Sequence, residues 1–373
     1  MLRSTLLLAV VAAPVAAQIF VPEDFPDPQS AIAAAPTGGV IVVHGGQWLP
    51  IVIDKPLTLI GDPQPLFMPD GPPPVPQPIV TLAGPGAGRV VLQNVWLGGG
   101  VDGTVYSDCA PSITGGGFDA LHVFDSLIEG SPWQFAYNFT FPGADAIDVS
   151  VPLVWIERCT VRGADAAAGD NSNHQEAVDA GDAVIATGSV VLLDSTVSGG
   201  DGPTLSWDAG GAGGCPPVCP GGAGGDGIAC ASLVQANSTI TAGAGSHWLG
   251  ENGIGDCCDG PSGTALLVAS HTLLGQDLTS SGPARLGQSW SLAWSTPGPA
   301  AVLFVSAGVG MAPQLGAPKL HLLPPLFLGV VLSSPGALST TVPADAALTG
   351  LEYGVQVYSS AGWTRPIAGV LGP

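Results

Sequence analysis

The chain is predicted to be all-β: a right-handed parallel β-helix with a short N-terminal capping helix, followed by a small C-terminal β-sandwich-like domain. Two observations lead there. One ten-residue pattern recurs six times between Val90 and Gly275, and the composition is dominated by turn residues, with 55 Gly and 36 Pro. That much Gly and Pro leaves little room for long helices and suits short strands joined by tight turns.

The recurring pattern is apolar at positions 1, 3 and 8, polar at 5, small at 6 and Gly at 10. It reads Val90, Leu92, Asn94, Val95, Leu97, Gly99, then Leu121, Val123, Asp125, Ser126, Ile128, Gly130, then Val154, Ile156, Arg158, Cys159, Val161, Gly163. It continues as Val190, Leu192, Asp194, Ser195, Val197, Gly199, then Leu233, Gln235, Asn237, Ser238, Ile240, Ala242, and last Leu266, Val268, Ser270, His271, Leu273, Gly275. Positions 1 and 3 alternate as one strand face must. The phase then slips at the polar residue and resumes, so each unit is two short strands around a bend. No unit can bury its apolar side alone, and neighbours must stack. A further strand precedes several units, as Asp145–Val149, Asp182–Val184 and Asp226–Cys230. Three strand directions per repeat make the cross-section of a parallel β-helix.

The stretch from Phe25 to Gly61 resembles the opening of right-handed β-helix proteins of the pectin-lyase-like superfamily. Pro28 to Pro36 resembles their capping helix, Gly39–Val43 their first strand, Gly45-Gly46-Gln47-Trp48 their first turn, and Ile51 to Gly61 the next two strands. The Gly-rich segment 208–227 and the tail also resemble secreted multi-repeat proteins of planctomycetes. The tail holds alternating strands around Gly287–Leu292, Ala301–Val305, Leu326–Leu332, Leu338–Val342 and Leu351–Tyr358, as in a small sandwich. The resemblance implies a fold and carries no catalytic residue. The lyase members use a basic proton abstractor, and none of the long insertions contains Lys or Arg; the polar motifs of the glycosidase and esterase members are absent.

Residues 1–17 read as a signal peptide, with Arg3, an apolar run from Leu6 to Val15 and a small-residue cleavage site. The expected organisation is therefore 1–17 signal peptide, 18–282 β-helix and 283–373 C-terminal all-β domain, in a protein that is secreted, extracellular or at a cell surface (or periplasmic). No segment is long and apolar enough to span a bilayer. With 29 acidic and 8 basic residues the formal charge is −21, which repels phosphate backbones and argues against nucleic acid. Seven Cys in an exported chain suit disulfides, with Cys215, Cys219, Cys257 and Cys258 as candidates and Cys159 as an unpaired core residue.

Five insertions (100–117, 131–143, 164–181, 200–225 and 244–262) follow position 10 and are expected on one flank. They carry the candidate chemistry. Glu176, Asp179, Asp208 and Glu251 are the carboxylates available for acid/base work, and Trp207, Trp248, His174 and His247 suit a carbohydrate surface. Asp165, Asp170 and Asn171 supply the hard oxygen ligands that calcium prefers, the one cofactor these loops would suit. Solvated loops without a site are the plain alternative. The functional expectation is a non-catalytic binding scaffold whose partner is a polysaccharide or cell-surface glycan; the alternative is a polysaccharide hydrolase. One physical expectation concerns the position-5 column, where Arg158 falls between Asp125 and Asp194 and would form an alternating ion-paired ladder.

Overall fold

The computed structural model describes residues 18–69, 77–98, 110–130, 142–166, 178–207, 222–250, 259–274, 278–296, 300–306, 309–312, 319–322, 326–333, 335–359 and 362–373. Its first part is a parallel β-helix of three strand columns. The first column stacks Gln18–Val21, Gly39–Val43, Leu57–Gly61, Arg89–Gln93, Ala120–Phe124, Leu153–Glu157, Ser189–Leu193, Ile228–Ala236 and Leu266–Leu273, every pair parallel. The second runs from Gln47–Trp48 to Thr239–Thr241 as a seven-stranded sheet. The third stacks Ile51–Ile53, Val80–Ala83, Ile113–Gly116, Ile147–Ser150 and Val184–Ala186 onto the start of Ile228–Ala236, which rounds a corner and joins columns one and three into one sheet of 14 strands. The helix Pro28–Ala34 covers the first coil, with the Asp27 carboxylate accepting the Ser30 N–H as its N-cap.

The repeat has a local cause. Asn94, Asp125, Arg158, Asp194 and Asn237 lie at φ of 53, 52, 55, 48 and 47°. This left-handed region suits Asn and Asp and turns the chain between columns one and two, which is the phase slip seen in the sequence. The small residue that follows has its N–H turned toward the next coil. Ser126 Oγ accepts the Val95 N–H at 3.1 Å, Ser195 Oγ that of Cys159 at 3.0 Å, and Ser238 Oγ that of Ser195 at 3.1 Å. Each hydroxyl then donates to a carbonyl two residues back. Cys159 sits in this buried column as a free thiol. Positions 1, 3 and 8 line the core, with Val90, Leu92, Leu97, Val154, Ile156 and Val161 all buried.

Three expectations change. The segment Ile113–Gly116 is a strand of column three and not part of an insertion. The last repeat is shifted: Leu266 pairs with Ile228 and His271 with Leu233, so Leu266 to Val268 continue column three and Ser270 is not a column-one turn. A spacing read from Gly275 could not separate two columns that the chain traverses without a break. The ion ladder also stops after one step. Arg158 meets Asp125 but not Asp194, whose carboxylate is taken by Arg365 from the far end of the chain.

The C-terminal part is antiparallel. Leu278–Ser280, Ser289–Trp294 and Gly336–Thr341 form one sheet. Leu326–Ser333, Ala300–Ser306, Glu352–Ser359, Gly362–Trp363 and Ile367–Val370 form another. They enclose Trp290, Trp294, Leu303, Tyr353, Val355 and Val357. This small β module docks on the outer face of column one. There Ala368 and Val370 meet Val91, Phe124, Trp155, Val191, Leu193 and Val234. Column-one strands are thus buried on both faces, which is why they read as unbroken apolar runs such as Val190 to Leu193.

Candidate functional site: an acidic cleft on a glycine-rich bundle

The excursions between columns two and three leave and re-enter the β-helix through one short motif. It appears as Gly143-Ala144-Asp145-Ala146, Gly163-Ala164-Asp165-Ala166, Ala180-Gly181-Asp182-Ala183, Gly199-Gly200-Asp201-Gly202 and Gly224-Gly225-Asp226-Gly227. Outgoing and returning legs alternate in a hydrogen-bonded bundle. Along it, the N–H of Ala164 donates to Ala144 O, Gly181 to Ala164 O, Gly200 to Gly181 O, Gly225 to Gly200 O, and Gly243 to Gly225 O.

Each leg also bonds the like leg of the next coil, with a period of three. Gly143 and Ala146 donate to Asp179 and Asp182, Ala180 and Ala183 to Ala223 and Asp226, and Gly199 and Gly202 to Thr241 and Ala244. A three-residue period is the repeat of an extended polyproline-type chain. Backbones this close exclude side chains at some positions: a Cβ on Gly200 would overlap the Ala164 carbonyl oxygen, and one on Gly225 that of Gly181.

The Asp of the motif completes the hydrogen bonding. Asp145 Oδ1 accepts the Asp182 N–H at 2.7 Å, Asp182 Oδ1 that of Asp226 at 2.6 Å, and Asp226 Oδ1 that of Thr264 at 2.5 Å. On the outgoing legs Asp165 and Asp201 do the same for Asp201 and Ala244, each at 2.8 Å. These carboxylates are backbone acceptors that the bundle requires, since its third N–H per leg has no carbonyl facing it.

The returning legs also wall a cleft of about 330 Å³, lined by Asp145, Asp179, Asp182, Asp226, Ile185 and Thr264 and by no Lys or Arg. Burial pushes the Asp145 carboxyl up to about 6, with the Asp182 and Asp148 charges adding to it and the Asp182 N–H opposing it. Burial, with the charges of Asp226, Asp148 and Asp179, also raises Asp182, against the Asp226 N–H bond.

The residues expected from sequence distribute unevenly. Asp179 stands at the cleft, its Oδ1 accepting the Ala223 N–H at 2.7 Å. Asp165 is an exposed bundle residue, paired with Arg162 at 2.6 Å. His247 pairs through Nδ1 with Asp259 at 3.1 Å, both exposed. The strands Thr204–Trp207 and His247–Gly250 pair in parallel, which sets the backbones of Trp207 and Trp248 in adjacent loops. Glu176, Asp208, Glu251, His174, Asp170, Asn171, Cys215, Cys219, Cys257 and Cys258 lie outside the described residues.

Among the described residues no three His, Cys, Asp or Glu side chains are grouped to hold a metal ion, Cys159 and Cys230 are free thiols, and no helix is long and apolar enough to cross a membrane. In the sequence Asp145, Asp182 and Asp226 stand as the starts of strands. The repeated small-small-Asp-small unit was the signal that would have marked them.

The fold and cleft together define an all-β parallel β-helix with an acidic flank and a docked antiparallel module. Searches against protein-family models, curated proteins and solved structures give no match.

Proposed function

We propose that the chain is an extracellular, non-catalytic scaffold of the right-handed, pectin-lyase-like β-helix kind, which holds loop tips on one flank for binding a polysaccharide or cell-surface glycan. The observation that carries this reading is the bundle. The loop roots are fixed to one another by backbone hydrogen bonds, and the motif carboxylates supply acceptors to that scaffold. A rigid base under variable loops is the arrangement that suits recognition. Fixed carboxylates stacked along one wall do not form the facing acid/base pair of a glycosidase.

One observation favours the hydrolase instead. Burial raises Asp145, to about 6, and its neighbour Asp182 in an open cleft, and a carboxyl that keeps its proton toward neutral pH is what general acid catalysis uses. A glycan array probed with the full secreted chain, with and without calcium, tests the scaffold reading; binding without product formation supports it. Release of reducing ends from a bound polysaccharide, abolished in Asp145→Asn, overturns it in favour of the hydrolase. Absence of binding to any glycan overturns both.

A further inference from the structure

The contact between the β-helix and the C-terminal module concentrates charge in a chain that has only 8 Lys and Arg. Three guanidiniums meet there. Arg158 binds Asp125 through Nε at 2.7 Å and Nη2 at 3.1 Å, and it also pairs with Glu157. Arg365 binds Asp194 at 2.9 and 3.2 Å, and Arg89 binds Glu352 at 2.5 Å. His122 Nδ1 stands 3.3 Å from Glu352 Oε1. The contact is dry at its centre, where Glu157 is 0% exposed, His122 1% and Glu352 6%, and opens at its edges, where Arg89 is 37% and Asp194 23% exposed. Tyr353 also faces this group, and burial pushes its phenol up to about 12, so it adds no charge.

Arg89 pairs with Glu352 and Arg365 with Asp194, whereas Arg158 answers both Asp125 and Glu157, so one negative charge is left over there, beside the apolar side chains of Trp155, Phe124, Ala368 and Val370. The surplus falls on Arg158, the one guanidinium shared by two carboxylates. Glu157 and Arg158 both touch the module at one residue: the Glu157 oxygens accept the Ala368 N–H, at 3.2 and 3.1 Å, and Arg158 Nη2 donates to the Ala368 carbonyl at 3.1 Å.

We propose that this contact is a pH-sensitive clasp, in which a proton taken up by Glu157 removes the surplus charge and tightens the C-terminal module onto the β-helix as neutral medium turns weakly acidic. Burial, opposed by Arg158, Trp155, the Ala368 N–H and Arg365, pushes the Glu157 carboxyl up to about 7 from 4.5. Because the docked value is raised, the added stability is complete below the unfolded value of 4.5 and is lost as pH rises through about 7. Loosening uncovers the apolar outer face of column one.

Hydrogen exchange on the full chain tests this, read at Ile367–Val370 against Val90 to Leu92 and corrected for intrinsic rates. The expected result is a protection ratio that falls about tenfold or more between pH 5 and pH 8, within the limit of tenfold per pH unit for one proton. Glu157→Gln should hold the acid-level protection at every pH, and His122→Asn should keep the wild-type profile. A flat wild-type profile, an unchanged profile in Glu157→Gln, or a flat one in His122→Asn overturns the proposal. Should Glu157→Gln not fold, carbon NMR of the glutamate carboxyls in the wild type decides. One Glu titrating near 7 supports the clasp, and all titrating below about 5 sinks it.

Discussion

Arg158 and Asp125 are one coil apart in the β-helix and meet as a fork on a fork, Nε to Oδ1 at 2.7 Å and Nη2 to Oδ2 at 3.1 Å. Arg158 does this from a left-handed turn, at φ 55°, where Asn or Asp would fit with less strain. It also donates to the Ala368 carbonyl at 3.1 Å. One side chain thus ties two coils and the module together.

Arg158→Asp should therefore be strongly destabilised. It places Asp125, Glu157 and the new carboxylate together with no cation between them, and breaking a pair this well covered costs about 3–5 kcal/mol. Thermal unfolding in low salt checks it; a melting temperature equal to the wild type would mean the fork contributes nothing. Asp194→Asn should cost less, because its partner Arg365 also donates to the Leu278 carbonyl.

The bundle predicts an unusual sensitivity at glycine. Gly225→Ala pushes a methyl group into the Gly181 carbonyl, with backbone rather than a movable side chain in the way. The expected loss is about 1–3 kcal/mol or more, seen as a lowered denaturant midpoint. Gly372→Ala, whose Cβ would find its nearest neighbours at 4.0 Å, should be nearly silent.

Asp182 separates acceptor from charge. Asp182→Ala leaves the Asp226 N–H without its carboxylate acceptor, at a cost of about 1–3 kcal/mol. Asp182→Asn keeps an acceptor oxygen and removes repulsion from Asp226, Asp148 and Asp179, so it should match the wild type or exceed it at neutral pH. Equal losses in the two variants, by chemical denaturation, would show that packing rather than the hydrogen bond matters.

Asp145 sets a pH dependence with a definite sign. Its folded value is raised from 3.8 to about 6, so its protonated form favours the folded state. That contribution is complete below 3.8 and fades as pH rises through about 6. Melting temperature should increase from pH 7 toward pH 5, and the increase should shrink in Asp145→Asn. A wild-type melting temperature that falls over this interval contradicts the burial argument.

Cys159 should be inert. Burial pushes its thiol up to about 12, and it occupies a column shared with Ser126 and Ser195. A thiol reagent should label it only on unfolding, and Cys159→Ser should fold with little loss, since the hydroxyl can make the same bond to the Glu157 carbonyl.

The amino-acid order alone determined the coil. The left-handed turn needs a residue such as Asn94 or Asp125, the next must be small, and the flanking apolar positions must alternate; all three are short-range demands of the backbone. Five strands of the C-terminal module are legible for the same reason, since residues such as Trp290, Leu292 and Trp294 alternate as a half-buried strand must, whereas the short strands Leu278–Ser280, Gly362–Trp363 and Ile367–Val370 carry no such pattern. The tertiary structure decided what meets the outer face of the coil. Arg365 claims Asp194 across 171 residues, and Arg158 reaches the Ala368 carbonyl across 210. No local period encodes partners so distant. The bundle lies between these cases: its small-small-Asp-small unit was present in the chain, but its purpose depends on legs from different coils interleaving. A carboxylate that caps a neighbouring coil and one that awaits a ligand have the same appearance in sequence, and only the position of the next N–H tells them apart.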